Sequence, residues 1–327
     1  MNIKNIGKYL CKLFVSAVAA FMILSLICFF YYNIPVHYTN EAGFTDYVWE
    51  ENKITFRGTE GFAQGKTNNE GLNNLADYNN QEIDILFLGS SQIEGFNVMP
   101  DENATALLNE KFNGEYFAYS LGVSGHDFLR CTQNLGSALE RYRPSAYVIL
   151  EASDLFLKNE DIQAAINGEL PKLSSSENRL ILTLEKVPVF RHFYNQLDNA
   201  IHNNSSSENN DTDNQAEYSE DISDSLGILL NQISQQAKQY DTQLIILYNS
   251  YELEGDELTK QQKQLWTDLC NENNIAFLDM TDDFSVALSN NEYVYGFLNT
   301  LPNEGHLNKK GHELIADRIY RFITTGD

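Results

Sequence analysis

Ile83-Asp84-Ile85-Leu86-Phe87-Leu88-Gly89-Ser90-Ser91-Gln92-Ile93-Glu94-Gly95 is the stretch from which the rest of the 327-residue chain can be ordered. Its first six residues are a short apolar run that stops at a glycine, the pattern of a buried strand. The serines that follow stand on a strand-to-helix turn. A serine hydroxyl there is a weak nucleophile until a neighbouring base takes its proton. Such a base stands far downstream in Gly305-His306-Leu307-Asn308-Lys309-Lys310-Gly311-His312, where His306 lies just ahead of the last helix. Pairing Ser91 with His306 points to acyl chemistry.

Working outward, four more apolar runs follow: Tyr116–Tyr119, Ala146–Leu150, Leu244–Tyr248 and Ile275–Leu278. Helical patterns separate them, clearest at Ile222–Gln239, Thr259–Glu272 and Lys309–Phe322. In the last, Leu314, Ile315, Ile319, Phe322 and Ile323 share one face. Alternating strands and helices predict a parallel sheet with helices on both faces. Ligands of such sheets bind beyond the C-terminal strand ends, where Ser91, Gly125, Asp154 and the stretch before His306 fall. The turn after the first strand has only Gly89 and Gly95 around it, so it lacks the glycine run that cradles a flavin or nucleotide phosphate.

The formal charge is −24, and residues 1–32 contribute Lys4, Lys8 and Lys12 without an acid. A body this acidic repels phosphate backbones, which argues against nucleic-acid binding. Leu13 to Tyr32 is twenty residues without a charge. As a helix it would span about 30 Å, the thickness of a bilayer core. The lysines precede it and Glu41, Asp46, Glu50 and Glu51 follow, which predicts residues 1–12 in the cytoplasm, 13–32 in the cell membrane and the body outside. A cleaved signal peptide would have a shorter core and a small-residue site at its end, where this segment has Phe29, Phe30, Tyr31 and Tyr32.

Residues 33–80 are polar and glycine-punctuated, and are expected to be a spacer or a set of short strands against the body, with strand chemistry at Val48-Trp49 and Ile54-Thr55-Phe56. The main domain is expected over 81–327, with an insertion at 180–221 whose part 198–221 has almost nothing apolar to bury and is expected to be disordered. Such insertions serve as lids or partner surfaces. Cys131 and Cys270 would meet an oxidising compartment, where they either pair or remain as buried thiols.

In order and placement these blocks resemble the SGNH (GDSL-type) hydrolase superfamily across roughly residues 82–325. Gly89-Ser90-Ser91 with Gly95 is similar to the first block, with Ser90 in place of its aspartate. Ser120-Leu121-Gly122-Val123-Ser124-Gly125 matches the second in spacing, Glu151-Ala152-Ser153-Asp154 stands at the third, and His306 with Leu307-Asn308 at the fourth. The resemblance implies a flavodoxin-like three-layer sandwich on a five-stranded parallel sheet, preceded here by one transmembrane helix. It implies Ser91 as nucleophile, His306 as base, and an oxyanion hole from Ser91, Gly125 and Ser153, with no cofactor and no metal. The family's acid three residues before the histidine is here Asn303, which leaves Asn303, Glu304 or Asp154 to orient His306, or a bare dyad. Taken singly these residues have ordinary uses: a Gly-Ser-Ser turn is common, Asp154 could cap, and His312 could pack. The resemblance extends to anchored relatives that act on cell-surface polymers. The expected partners are an acylated carbohydrate or cell-wall polymer, the lipid bilayer through residues 13–32, and a multi-span membrane acyltransferase. Two readings follow: a membrane-anchored serine esterase or O-acyltransferase, or a non-catalytic surface module in polysaccharide acylation or export.

Overall fold

The computed structural model describes residues 3–33, 37–39, 47–170, 184, 186–194, 220–250 and 257–326. Of the stretch 198–221 expected to be disordered, 198–219 lies outside the described residues, and Glu220 and Asp221 are instead helical, opening the helix Glu220–Gln239. Five strands, β6 (Ile85–Leu88), β7 (Ala118–Ser120), β8 (Tyr147–Ala152), β9 (Gln243–Tyr248) and β10 (Ala276–Asp279), form one parallel sheet in the order β10-β9-β8-β6-β7. Counted along the sheet's own strands this is 2-1-3-4-5, the flavodoxin-like order that the resemblance implies, and the sheet is parallel as the alternating pattern predicts.

Each strand is mainly apolar because helices cover both faces. Leu86, Leu88, Val148, Leu150, Leu244 and Ile246 pack in one core with helices α4 (Phe128–Tyr142), α5 (Asn159–Asn167), α7 (Glu220–Gln239) and α8 (Glu257–Glu272). Ile85, Phe87, Ile149, Ile245 and Leu247 alternate to the other face, against α3 (Ala104–Phe112), α9 (Thr281–Ser289) and α10 (Lys309–Thr325). A short helix at residues 188–194, α6, precedes α7 in the chain. Cys131 and Cys270 are buried free thiols, one in α4 and one in α8, so no bridge links them. Burial raises the pKa of both, that of Cys270 to about 12.

The N-terminal region is built separately. Helix α1 (Ile3–Tyr31) runs without a break into β1 (Tyr32–Asn33), which pairs antiparallel with β4 (Ile54–Arg57), and β4 pairs with β5 (Ala63–Lys66). Two further strands, β2 (His37–Thr39) and β3 (Tyr47–Trp49), pair with each other. The end of α1 is packed as well as connected. The Phe56 ring lies 5.4 Å from Phe29 and 5.3 Å from Phe30, edge to face, and the Gly58 N–H donates to the Tyr31 carbonyl at 2.7 Å. Such aromatic pairs add roughly 0.5–1.5 kcal/mol each beyond their buried area. Beyond β5, Asn74 donates to the Ser120 carbonyl and Asn73 to the Glu94 carbonyl, which ties residues 67–80 to the turns at the C-terminal end of the sheet.

Candidate active site

Ser91 opens α2 (Ser91–Glu94), one turn after β6 ends at Leu88. Gly89 is required at the bend: a Cβ there would lie 2.5 Å from a Glu151 carboxylate oxygen and 2.5 Å from Ile93 Cγ1. Ser90 caps the turn, accepting the Gln92 N–H on its Oγ at 3.1 Å, and its own N–H donates to Glu151 Oε2 at 2.5 Å. The chain thus has a serine where the resembling family has an aspartate, and a buried carboxyl from β8 reaches the same turn.

His306 sits in the loop before α10, whose first turn is capped by Asn308 accepting from the Lys310 and Gly311 N–H groups. Gln92, beside Ser91, latches this loop from both sides. Its Oε1 accepts the Leu307 N–H at 2.7 Å and its Nε2 donates to the Gly305 carbonyl at 3.3 Å. The result sets His306 Nε2 3.0 Å from Ser91 Oγ.

The other ring nitrogen has a partner that sequence reasoning missed. Nδ1 lies 2.7 Å from Glu60 Oε2, in the hairpin between β4 and β5. The same oxygen accepts the His306 backbone N–H at 3.0 Å and Asn97 Nδ2 at 3.2 Å. Burial alone would raise the Glu60 pKa, but the hydrogen bonds from His306, its charge and the bond from Asn97 outweigh it and hold the carboxyl below its ordinary value. An ionised carboxylate only accepts, so Nδ1 carries the ring proton and the Nε2 lone pair faces the serine hydroxyl. Gly305 makes the approach possible: its φ is +84°, and a Cβ would lie 2.8 Å from Glu60 Oε2.

The three residues expected to orient His306 do other things. Asp154 Oδ1 accepts the Phe156 N–H at 2.7 Å, closing a turn at the far side of the cleft. Asn303 is in the left-handed region, φ 62°, with its N–H bonded to the Tyr295 carbonyl at 3.1 Å. Glu304 is exposed, its N–H on the Leu301 carbonyl. The acid comes from outside the blocks because nothing local to His306 points at Nδ1.

Gly125, Ser153 and Asp154 line one cleft with Ser91, together with Tyr248, Asn249 and Ser250; its volume is about 650 Å³. The cleft thus joins the ends of β6 and β8, where the strand order reverses. Ser153 is exposed on its rim. His126 also lines it, but burial, helped by the charge of Arg130, lowers its pKa to about 4 and keeps it neutral. His312 is buried with Nδ1 accepting the Ala104 N–H at 3.2 Å, and burial lowers its pKa to about 3. Glu94 and Glu151 lie fully buried beneath the serine turn, and burial raises the pKa of each. Glu94 accepts from Trp49 Nε1 and from the Ser124 hydroxyl, so one carboxyl holds α2, β3 and the loop of Gly125 together. No sequence pattern marks Glu60 or Gln92; the one available cue is an acid between two glycines in Gly58-Thr59-Glu60-Gly61.

No family model matches the chain, and no curated protein matches it. Among solved structures it is similar to the esterase EstA from a Pseudoalteromonas species, at 16% identity over 74% of this chain and 97% of that one, with a TM-score of 0.40. A lipolytic protein of the G-D-S-L family from Veillonella parvula is similar at 13% identity, 74% and 97% coverage and a TM-score of 0.41. An acetyl xylan esterase, AlAXEase, is similar at 13% identity, 74% and 100% coverage and a TM-score of 0.40.

Proposed function

We propose that the chain is a membrane-anchored serine esterase or O-acyltransferase of the SGNH type, acting outside the cell membrane on acyl esters of surface glycans. The observation that carries this reading is the unbroken series Glu60–His306–Ser91, with contacts of 2.7 and 3.0 Å. Ser91 Oγ attacks an acyl carbonyl as its proton passes to His306 Nε2. The imidazolium is stabilised by Glu60, and the carbonyl electron pair becomes an oxyanion facing the Ser91 and Gly125 N–H groups, with the Ser153 hydroxyl at the rim. Collapse expels the alcohol, which takes the proton from His306, and leaves an acyl-serine. Water or a sugar hydroxyl then gives its proton to His306, attacks the ester and releases Ser91. The acceptor that reaches the acyl-serine decides between hydrolysis and transfer. A glycan suits the polar, open cleft, where Ser153, Asp154, Asn249 and Ser250 offer hydroxyl, carboxylate and amide groups.

Anchoring is supported by α1, of which Ile6–Tyr31 is apolar and long enough to cross a membrane. Retention is supported by the junction, since cleavage after Tyr31 would remove the Phe29 and Phe30 rings and the Tyr31 carbonyl from their contacts with β4 and Gly58. Glu60 is two residues beyond Gly58, which bonds Tyr31, so Glu60 stands within about 7 Å of backbone from the residue that meets the helix exit. A site so close to the bilayer suits an acyl group delivered through the membrane by a multi-span acyltransferase.

The test is a fluorophosphonate serine probe on the full-length protein in detergent, with the adduct mapped by mass spectrometry. Label on Ser91 that disappears in Ser91→Ala and in His306→Ala is the expected result. Absence of label on folded wild-type protein would leave the non-catalytic surface module as the better reading.

A further inference from the structure

Helix α6, residues 188–194, has its polarity reversed for an element facing water. Val189 and Arg191 are buried against the body, whereas Phe190, Phe193 and Tyr194 are 43%, 61% and 43% exposed. At i, i+3 and i+4 these three form a single apolar stripe. What the stripe meets is set by its neighbour. The Phe190 ring lies 5.6 Å from Phe21 of α1, and the Tyr31 ring 6.0 Å from His192. Phe21 is ten residues before Tyr31, about 15 Å down the helix axis at 1.5 Å per residue. Any bilayer that takes up α1 therefore takes up Phe190 beside it, and the exposed stripe continues the exposed apolar surface of α1.

Just above the stripe the polarity changes. A cavity of about 460 Å³ opens between the end of α1 and this segment, lined by Phe29, Ile54, Lys53, Lys186 and Arg191, with Glu50 as its one acid among the described residues. Lys186 lies 3.9 Å from Glu50, and Arg191 Nη1 donates to Asn33 Oδ1 at 3.4 Å. Among the described residues, three cations to one acid is the reverse of the balance in this chain, which is 46 acids to 22 bases. Apolar rings below and cations above reproduce the vertical order of an acyl chain and a phosphate headgroup.

We propose that this corner is a docking surface for an anionic phospholipid of the outer leaflet. Phe190, Phe193 and Tyr194 enter the acyl region beside α1, and Lys53, Lys186 and Arg191 hold the headgroup phosphate. The contact fixes the rotation of the body about its anchor and so the face that the Ser91 cleft turns to the membrane. The proposal rests on the anchored reading, and the test separates the two. Full-length protein is reconstituted into vesicles of phosphatidylcholine with phosphatidylglycerol, carrying a benzoylphenylalanine photoprobe at Met22, Phe193 or Val286. Lipid crosslinking at Phe193 within about threefold of that at Met22, and roughly tenfold above that at exposed Val286, is expected for a seated interfacial helix. Phosphatidylglycerol is expected to be enriched about threefold in the Phe193 adduct, and Lys53→Gln with Lys186→Gln to abolish that enrichment. Crosslinking at Met22 but not at Phe193 overturns the proposal and leaves the anchor standing. Equal lipid composition in adduct and vesicle overturns the headgroup site. Crosslinking at neither position overturns the anchored reading itself.

Discussion

Two regions of different construction meet at His306. Ser91, Gly125 and Ser153 stand at the ends of a parallel sheet buried on both faces, so their positions are set by the main core. Glu60 stands on a hairpin of a small antiparallel sheet, whose other edge is the exit of α1. Besides the bonds to its own carboxylate from His306 and Asn97, its loop is held by the Gly58 N–H on Tyr31, the Gly61 N–H on Asn299 Oδ1 at 2.6 Å, and Asn299 Nδ2 on the Gly58 carbonyl at 2.9 Å. The comparison teaches that, on the proposed reading, nucleophile and base belong to the main sheet, while the acid belongs to the small sheet that continues α1. The acid should therefore be removable, or displaceable, without unfolding the sheet.

The most severe way to break that comparison is to change Glu60 itself. Glu60→Gln should lower kcat by on the order of 10⁴, because an amide cannot compensate the imidazolium and leaves the ring tautomer unfixed. Combined with Ser91→Ala it should cost nothing further, since residues of one catalytic unit are not additive. The effect on stability depends on pH. A carboxyl held below its ordinary value of 4.5 stabilises the fold above that pH and loses the contribution as pH falls through the lowered value. Thermal unfolding should thus separate wild type from E60Q at pH 7 and bring them together in stronger acid. An unchanged kcat would show that Ser91 and His306 work as a dyad.

Asn299→Ala sharpens the same contrast with a smaller effect. It cuts every bond from the Asn299 side chain to the 58–61 loop and touches neither Ser91 nor His306. Displacing the carboxylate by about 1 Å should cost roughly 10²-fold in kcat. Fluorophosphonate labelling of Ser91 should persist at a reduced rate. A fall in Tm as large as that from truncating Leu86 or Ile246 in the sheet would mean that the hairpin supports the fold and that the two regions are not separable.

The same division decided what could be read from the chain. The five strands were legible because each is an uninterrupted apolar run bounded by glycine or polar residues, and burial on both faces demands that composition. Ser91 and His306 were legible because a strand-to-helix turn and a helix start have local signatures. Glu60 was not, since its role depends on a contact 246 residues away across a hairpin that has no chemistry of its own. Attention to Asn303 and Glu304 followed the spacing of the resembling family, but here the acid reaches Nδ1 from another element. The Phe190 stripe was hidden for a related reason: five apolar or aromatic residues among Val187–Tyr194 look like core until the neighbour proves to be α1.

The smallest expected effect concerns Glu151, the carboxyl that belongs to the sheet. Its Oε2 accepts the Ser90 N–H and its Oε1 accepts Asn249 Nδ2 at 2.9 Å. Burial raises its pKa, partly offset by these bonds and by the charge of His306. A raised carboxyl stabilises the fold fully below its ordinary value, and that contribution is lost as pH rises through the raised one. Glutamine cannot ionise, so E151Q should match wild type near pH 4 and become the more stable of the two as pH rises. The neighbours permit the exchange. Asn249 Oδ1 is buried with no partner among the described residues, so rotating that amide lets it accept from the new side-chain N–H while the new carbonyl keeps Ser90. Glu151→Ala offers neither group, strands the Ser90 N–H and the Asn249 amide, and should cost about 1–3 kcal/mol for each. Activity should follow, within about threefold for E151Q and with a larger loss for E151A as the turn beneath Ser91 loosens. If E151Q instead fell as far as E60Q, a charged Glu151 would be part of the reaction, and the acid would no longer belong to the small sheet alone.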